Sequence, residues 1–276
     1  VSESVRPFLG GKGNGIIDMH NLGVKTPPAF IIGLPLCREY FESGFNLHGF
    51  KYAIEGFVRG LEEVSGKKLG NSDSPLLVSV RSGTTISLPG SMSTILNVGL
   101  TRPIIEKQRQ KYGKTFSDSI YLRFLCNTLT ALEINCNDLE SGDMDEAIGE
   151  AEAMVKKELG EVFLSDPFEQ LIKCVELVFA SSRSQSVRNY LKELSIDLNF
   201  GTAVTVQQMV FGNRNADCMS GVIFTRNPIN GHDELFGEYR EMTQGEDVVM
   251  GNVITKSISA ITPKIHAELV EYKNVL

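Results

Sequence analysis

Arg81 and Lys12 are the residues of this 276-residue chain whose surroundings best suit chemistry on an anion. Arg81 follows the apolar run Leu76-Leu77-Val78-Ser79-Val80 and leads into Ser82-Gly83-Thr84-Thr85, then Leu88-Pro89-Gly90-Ser91-Met92. A guanidinium is a fixed fork of donors, and glycines let backbone N–H groups approach a ligand. An arginine at the end of a buried strand, before such a loop, therefore suits a polyphosphate. Lys12 stands in Gly10-Gly11-Lys12-Gly13-Asn14-Gly15, a glycine loop ahead of a helix expected over residues 16–22 and closed by Gly23. That arrangement puts a point charge, free amides and the positive end of a helix dipole in one place. The segment fits neither G-x-x-x-x-G-K-[ST] nor G-x-G-x-x-G. Two readings stay open for it, a phosphate cradle and a flexible turn with a solvated lysine.

These residues need elements to hold them. Residues 203–212 and 220–228 read as strands separated by a polar turn at 213–217, which together suggest an antiparallel hairpin. A further strand over 234–242 carries Glu238 and leads into Gln244-Gly245-Glu246-Asp247-Val248-Val249. Between the β-rich ends, about residues 102–193, Ile120, Phe124 and Leu125 and then Leu171, Val175 and Val178 recur at spacings of three and four, the stripes of paired helices. The acidic run 138–152 lacks the D-x-D-x-D-G pattern of a calcium loop and reads as a solvated turn and helix start.

Composition excludes more than it specifies. A net charge of −7 with no basic run argues against a nucleic-acid binder, so an anionic ligand must be met by a few local cations. Five scattered cysteines, without C-x-x-C pairs, read as free thiols in a reducing, cytoplasmic setting. No apolar run approaches the roughly 18 residues of a membrane helix, so a soluble protein with no membrane partner is expected. With 42% hydrophobic residues the chain can bury one large core or two medium ones. His20, His48, His232 and His266 read as ordinary surface or helix-end histidines.

In order along the chain, Gly-Gly-Lys-Gly, Ser79-Val80-Arg81-Ser82-Gly83, Leu88-Pro89-Gly90 with Met92, Gln208-Met209-Val210-Phe211-Gly212-Asn213, Phe224-Thr225-Arg226-Asn227-Pro228, Gly237-Glu238-Tyr239 and residues 244–249 resemble the N-terminal nucleotide-binding domain of the pyruvate phosphate dikinase family. Phosphoenolpyruvate synthases and rifampin phosphotransferases share the lysine loop and arginine strand; the Gln-Gly-Glu-Asp-Val-Val and Phe-Thr-Arg-Asn-Pro runs favour the dikinase. The resemblance implies an α+β, ATP-grasp fold of two lobes clamping ATP and Mg²⁺. The lobes would span residues 1–100 and 201–276, with a mobile helical insert over 101–200. It implies that Gly11, Lys12 and Arg81 meet the phosphates, with Lys12 and Arg81 catalytic. Pro89, Gly90, Ser91 and Met92 would form a lid, and Gln208 and Met209 would line the adenine pocket. Glu238 would reach a ribose hydroxyl or the metal, or remain a strand-edge carboxylate in water. Phosphate would pass from ATP to a histidine on a separate domain and then to pyruvate.

Departures from the family pattern qualify these expectations. The family's Asp-x-Glu and Gln-Thr-Arg metal and phosphate ligands follow the helix that begins here near Pro263, and its Thr-Ser-His segment is absent, so this chain alone is expected to be catalytically incomplete. A free-standing, non-catalytic nucleotide-binding module is the alternative. Ser93 replaces a carboxylate, Val253 an arginine, and Phe168 and Ser182 tryptophans.

Overall fold

The computed structural model describes residues 3–44, 47–84, 92–136, 139, 143–195 and 201–276. The chain runs through α1 (Gly10–Asn21), β1 (Ala29–Ile32), α2 (Leu34–Ser43), α3 (Lys51–Ser65), β2 (Val78–Gly83) and β3 (Thr94–Val98). Six helices follow, α4 (Arg102–Tyr112), α5 (Lys114–Ala131), α6 (Met144–Leu159), α7 (Glu161–Ser165), α8 (Pro167–Ser181) and α9 (Gln185–Glu193). The remainder comprises β4 (Ala203–Gln208), β5 (Met219–Phe224), β6 (Phe236–Glu241), α10 (Gly245–Val249), β7 (Lys256–Ser257) and α11 (Pro263–Val275). Helices and antiparallel sheets in separate stretches make this an α+β architecture. Two compact units result, residues 1–17 with 27–209, and residues 18–26 with 210–276.

The first unit is built on a four-stranded antiparallel sheet in the order β1-β4-β2-β3. Ala203, Val204 and Val206 of β4 and Val78 and Val80 of β2 are all fully buried, which suits strands at the centre of a sheet. Register places Ile31, Thr205, Arg81 and Thr94 in one row across the four strands, on one face. On the opposite face Phe30 stacks against Phe57 of α3, ring centroids 5.6 Å apart.

Helix boundaries follow local chemistry. Asp143, Asp166 and Ser184 cap α6, α8 and α9 by accepting from first-turn amides, and Pro167 sits at the first helical position of α8. Buried polar side chains then tie helices to strands. Asn97 Nδ2 donates to Ile120 O of α5 at 3.0 Å. Gln170 of α8, fully buried, accepts from Gly99 N at 3.0 Å and donates to Leu100 O at 2.7 Å. Asp118 is also fully buried and is held by Arg109 Nε at 2.6 Å and Lys114 Nζ at 2.9 Å.

The second unit carries a three-stranded antiparallel sheet, β5-β6-β7. Tyr239, Ile258 and Ile261 form its core with Met219, Ile223, Leu235, Ile265 and Leu269, so α11 covers one face. Here the sequence expectation needs correction. The hairpin is β5 with β6, whereas β4 pairs with β1 and β2 in the other sheet. The apolar alternation that marks β4 as a strand cannot reveal that its partners lie far upstream.

Because a buried amide left without its partner costs about 1–3 kcal/mol, Gln170→Leu, which orphans Gly99 N–H and Leu100 C=O, is expected to lower stability by about 3 kcal/mol. Urea denaturation measures this directly, with an unchanged midpoint contradicting the clamp.

Candidate functional site

Lys12 and Arg81 come together in the first unit. The Lys12 ammonium donates to Ser82 O at 2.7 Å, next to Arg81 along β2. The residue as a whole is exposed, yet its charged end lies against protein. Burial pushes its pKa below the usual 10.5, and the Arg81 charge pushes it further the same way. Two like charges are thus held close by the fold. Arg81 is flanked in its row by Thr94 and Thr205, and the buried Thr205 Oγ1 has no hydrogen-bond partner.

The glycines around Lys12 act differently from the expectation. Helix α1 begins at Gly10, so Gly11, Lys12 and Gly13 form its first turn and not a loop ahead of it. Gly10 adopts φ +67, and a Cβ there would stand 2.0 Å from Gly83 O. A Cβ on Gly13 would meet Ile31 Cδ1 at 2.9 Å. Glycine here permits helix and strand to touch, which a side chain would prevent. Close approach costs one of the expected anion-binding amides, because Gly11 N–H donates to Thr84 O at 2.9 Å.

Arg81 also lies inside β2, not beyond its end. Of the expected lid, Pro89, Gly90 and Ser91 lie outside the described residues; Met92 is half-buried and packs against Val187 and Leu191. Gln208 ends β4 opposite Val78, on the face away from Arg81. The Gln208 and Met209 amides are both occupied, by Pro28 O at 2.9 Å and Leu77 O at 2.8 Å. Adenine on this strand would therefore be met by side chains, carbonyls or residues beyond Met209.

Glu238 belongs to the second unit. Val222, Phe224, Phe236, Glu238 and Ser257 share the face of the sheet opposite α11, where with Val248, Val249 and Thr255 they line a pocket of about 710 Å³. The pocket is apolar but for one carboxylate and two hydroxyls, and Thr255 Oγ1 donates to Glu238 Oε2. Sequence reasoning missed this lining; alternation of Val222 and Phe224 in β5 was the available signal. Thr205 was missed too, since only register puts it beside Arg81. Among the described residues, no three of His, Cys, Asp and Glu are grouped as a metal site.

A family model for the pyruvate phosphate dikinase AMP/ATP-binding domain matches residues 48–273. The chain belongs to this family. The match takes in Arg81, Met92, Gln208, Met209 and Glu238, whereas Gly11 and Lys12 precede it. Chloroplastic pyruvate, phosphate dikinase 1 of Zea mays is 34% identical over 300 aligned positions, covering 100% of this chain and 32% of the relative. Pyruvate, phosphate dikinase of Clostridium symbiosum is 36% identical over 271 positions, covering 90% of the chain and 31% of the relative. This member of the dikinase ATP-binding domains thus spans about a third of the length of the curated relatives it matches. No helix among its described residues is long and apolar enough to cross a membrane.

The unfolded lysine keeps its proton up to about its ordinary 10.5, so below that value the unfolded chain binds more protons than the folded one. Parent stability should accordingly gain as pH rises through the interval between the lowered folded pKa and 10.5. Lys12→Met lacks this dependence. The stability difference between parent and variant is expected to move in the parent's favour as pH rises through that interval, followed by denaturation at a series of pH values. A difference independent of pH would contradict the lowered Lys12 pKa and the burial that causes it.

Proposed function

We propose that the chain is the ATP-binding portion of a pyruvate phosphate dikinase with an ATP-grasp fold. Its lobes would be residues 1–100 and 201–276, and residues 101–200 the helical insert. In this reading Lys12 and Arg81 contact the nucleotide phosphates. The observation that carries it is the Lys12 ammonium held at 2.7 Å from Ser82 O, beside Arg81, where burial first and the Arg81 charge second disfavour its charged form. A polyanion between them removes the repulsion and gains two charge-assisted hydrogen-bonding partners.

Phosphoryl transfer asks little covalent chemistry of the protein. It requires that the phosphates be positioned and the charge developing on them be neutralised. Arg81, fixed in a strand between two threonines, supplies a rigid fork. Lys12 can exchange the Ser82 carbonyl for a phosphate oxygen, a switch from a neutral to an anionic acceptor. Gly11 belongs to the site through backbone packing against Thr84. Met92, with Pro89, Gly90 and Ser91, covers the phosphates, and Gln208 and Met209 border the base. Glu238, the carboxylate of a largely apolar pocket, would reach a ribose hydroxyl or the metal, or remain a strand-edge carboxylate in water.

Mg²⁺ arriving with ATP would neutralise negative charge on the phosphates. The described residues do not form an acidic set that would hold it, and no step is assigned to it. The acceptor in this reading is a histidine on a separate domain: it takes a pyrophosphoryl group from ATP with release of AMP, inorganic phosphate then removes the terminal phosphoryl group as pyrophosphate, and the phosphoryl group left on the histidine passes to pyruvate to give phosphoenolpyruvate.

In the gene product that carries this chain, Lys12→Ala and Arg81→Ala should each slow single-turnover phosphorylation of the histidine by about a hundred-fold or more, the scale of losing one charge-stabilising group. Unchanged rates in both variants would sink the assignment.

A further inference from the structure

Two consecutive residues leading into β3 are held by the helical part of the chain. Ser93 N–H donates to Ser181 Oγ at 3.2 Å. That hydroxyl donates in turn to Val178 O at 2.8 Å, so its own helix orients it and leaves a lone pair for Ser93. Ser181 is buried at the last position of α8. One residue earlier, Met92 packs against Val187 and Leu191 of α9, with Tyr190 beside it. The residue that follows Ser93 is Thr94, the partner of Arg81 across the β2–β3 ladder.

The corner between α8 and α9 therefore grips the chain by a hydrogen bond and an apolar contact on adjacent residues, immediately before Arg81's neighbour. We propose that Ser181, together with the Val187–Leu191 contact, is a positioning element of the nucleotide site. It sets where Thr94 stands beside Arg81 and where Met92 stands two residues ahead of Thr94, and so sets affinity for ATP from the helical part of the chain. The proposal rests on the reading of Arg81 and Met92 as phosphate-contacting residues. Its physical basis is that a charged fork is effective only when its strand is held to within a fraction of an ångström. A hydrogen bond at the start of a strand does that more directly than apolar packing along its length.

The test compares Ser181→Ala, Ser181→Thr, Ser182→Ala and Arg81→Ala in the gene product that carries this chain. MgATP affinity is read by calorimetry, and KM and kcat by phosphorylation of the histidine. Ser181→Ala is expected to raise Kd and KM for MgATP about five-fold, the worth of one hydrogen bond, while kcat stays within about two-fold. Ser181→Thr, which keeps the hydroxyl and can still donate to its helix, should restore parent values. Ser182→Ala should leave affinity unchanged, because that hydroxyl donates to Phe179 O on the same helix end. A parent-like KM for Ser181→Ala, or an equal effect of Ser182→Ala, overturns the proposal. If Arg81→Ala binds MgATP as the parent does, the nucleotide reading falls and this proposal with it. If Arg81→Ala loses binding while Ser181→Ala does not, only the positioning role fails.

Discussion

The contact of the Lys12 ammonium with Ser82 O, beside Arg81, is the constraint on which the nucleotide reading of the first unit depends. Nothing about an isolated helix or strand would bring an ammonium to the carbonyl that follows an arginine. The contact requires α1 to lie directly on the sheet, which requires Gly10 against Gly83 and Gly13 against Ile31. It also requires β2 to be immobile, which the central strands and their buried valines ensure. A partly buried ammonium is thereby held beside a second cation by apolar packing elsewhere, a pattern expected where local stability is sacrificed for binding.

The rest of the first unit serves to hold that row of residues. Buried amides do much of the holding, because each has a defined direction where apolar contacts do not. Gln170 fixes the far end of β3 to α8, Asn97 fixes its middle to α5, and Ser181 fixes its start. One short strand is thus pinned at three points by helices distant in sequence. The second unit follows another scheme, with one face of its sheet packed by α11 and the other left as a largely apolar recess around Glu238.

Much of this was legible in the chain itself, and the failures have physical causes. The segments of β2, β4, β5 and β6 announce themselves by alternation or apolar runs; their pairing does not. A polar turn at residues 213–217 makes β4 and β5 read as a local hairpin, yet the partner that completes β4 is β2, and Gly83 N–H donates to Thr202 Oγ1 across 119 residues. The glycine-rich opening reads as a loop because glycine is a poor helix former. Tertiary contact overrides that preference, since only glycine allows the helix to approach β2. Residue types told where an anion could bind; which threonines border it depended on register, and register depends on long-range pairing. The apolar spacings within α5 and α8 were legible, for a period of 3.6 is a local property.

The insertion of β4 between β1 and β2 has a consequence for biogenesis. As the polypeptide leaves the ribosome, β1 emerges with no neighbour to bond, and β2 and β3 can form only a two-stranded ribbon, which is marginal in water. Closure must wait until the segment after α9 has been synthesised, by which time the intervening helices are free to collapse on their own local contacts. During that interval the apolar edges destined to flank β4 are open to other chains. Late pairing of those edges is thus a property of strand order rather than of composition, shared by any homologue that keeps this connectivity.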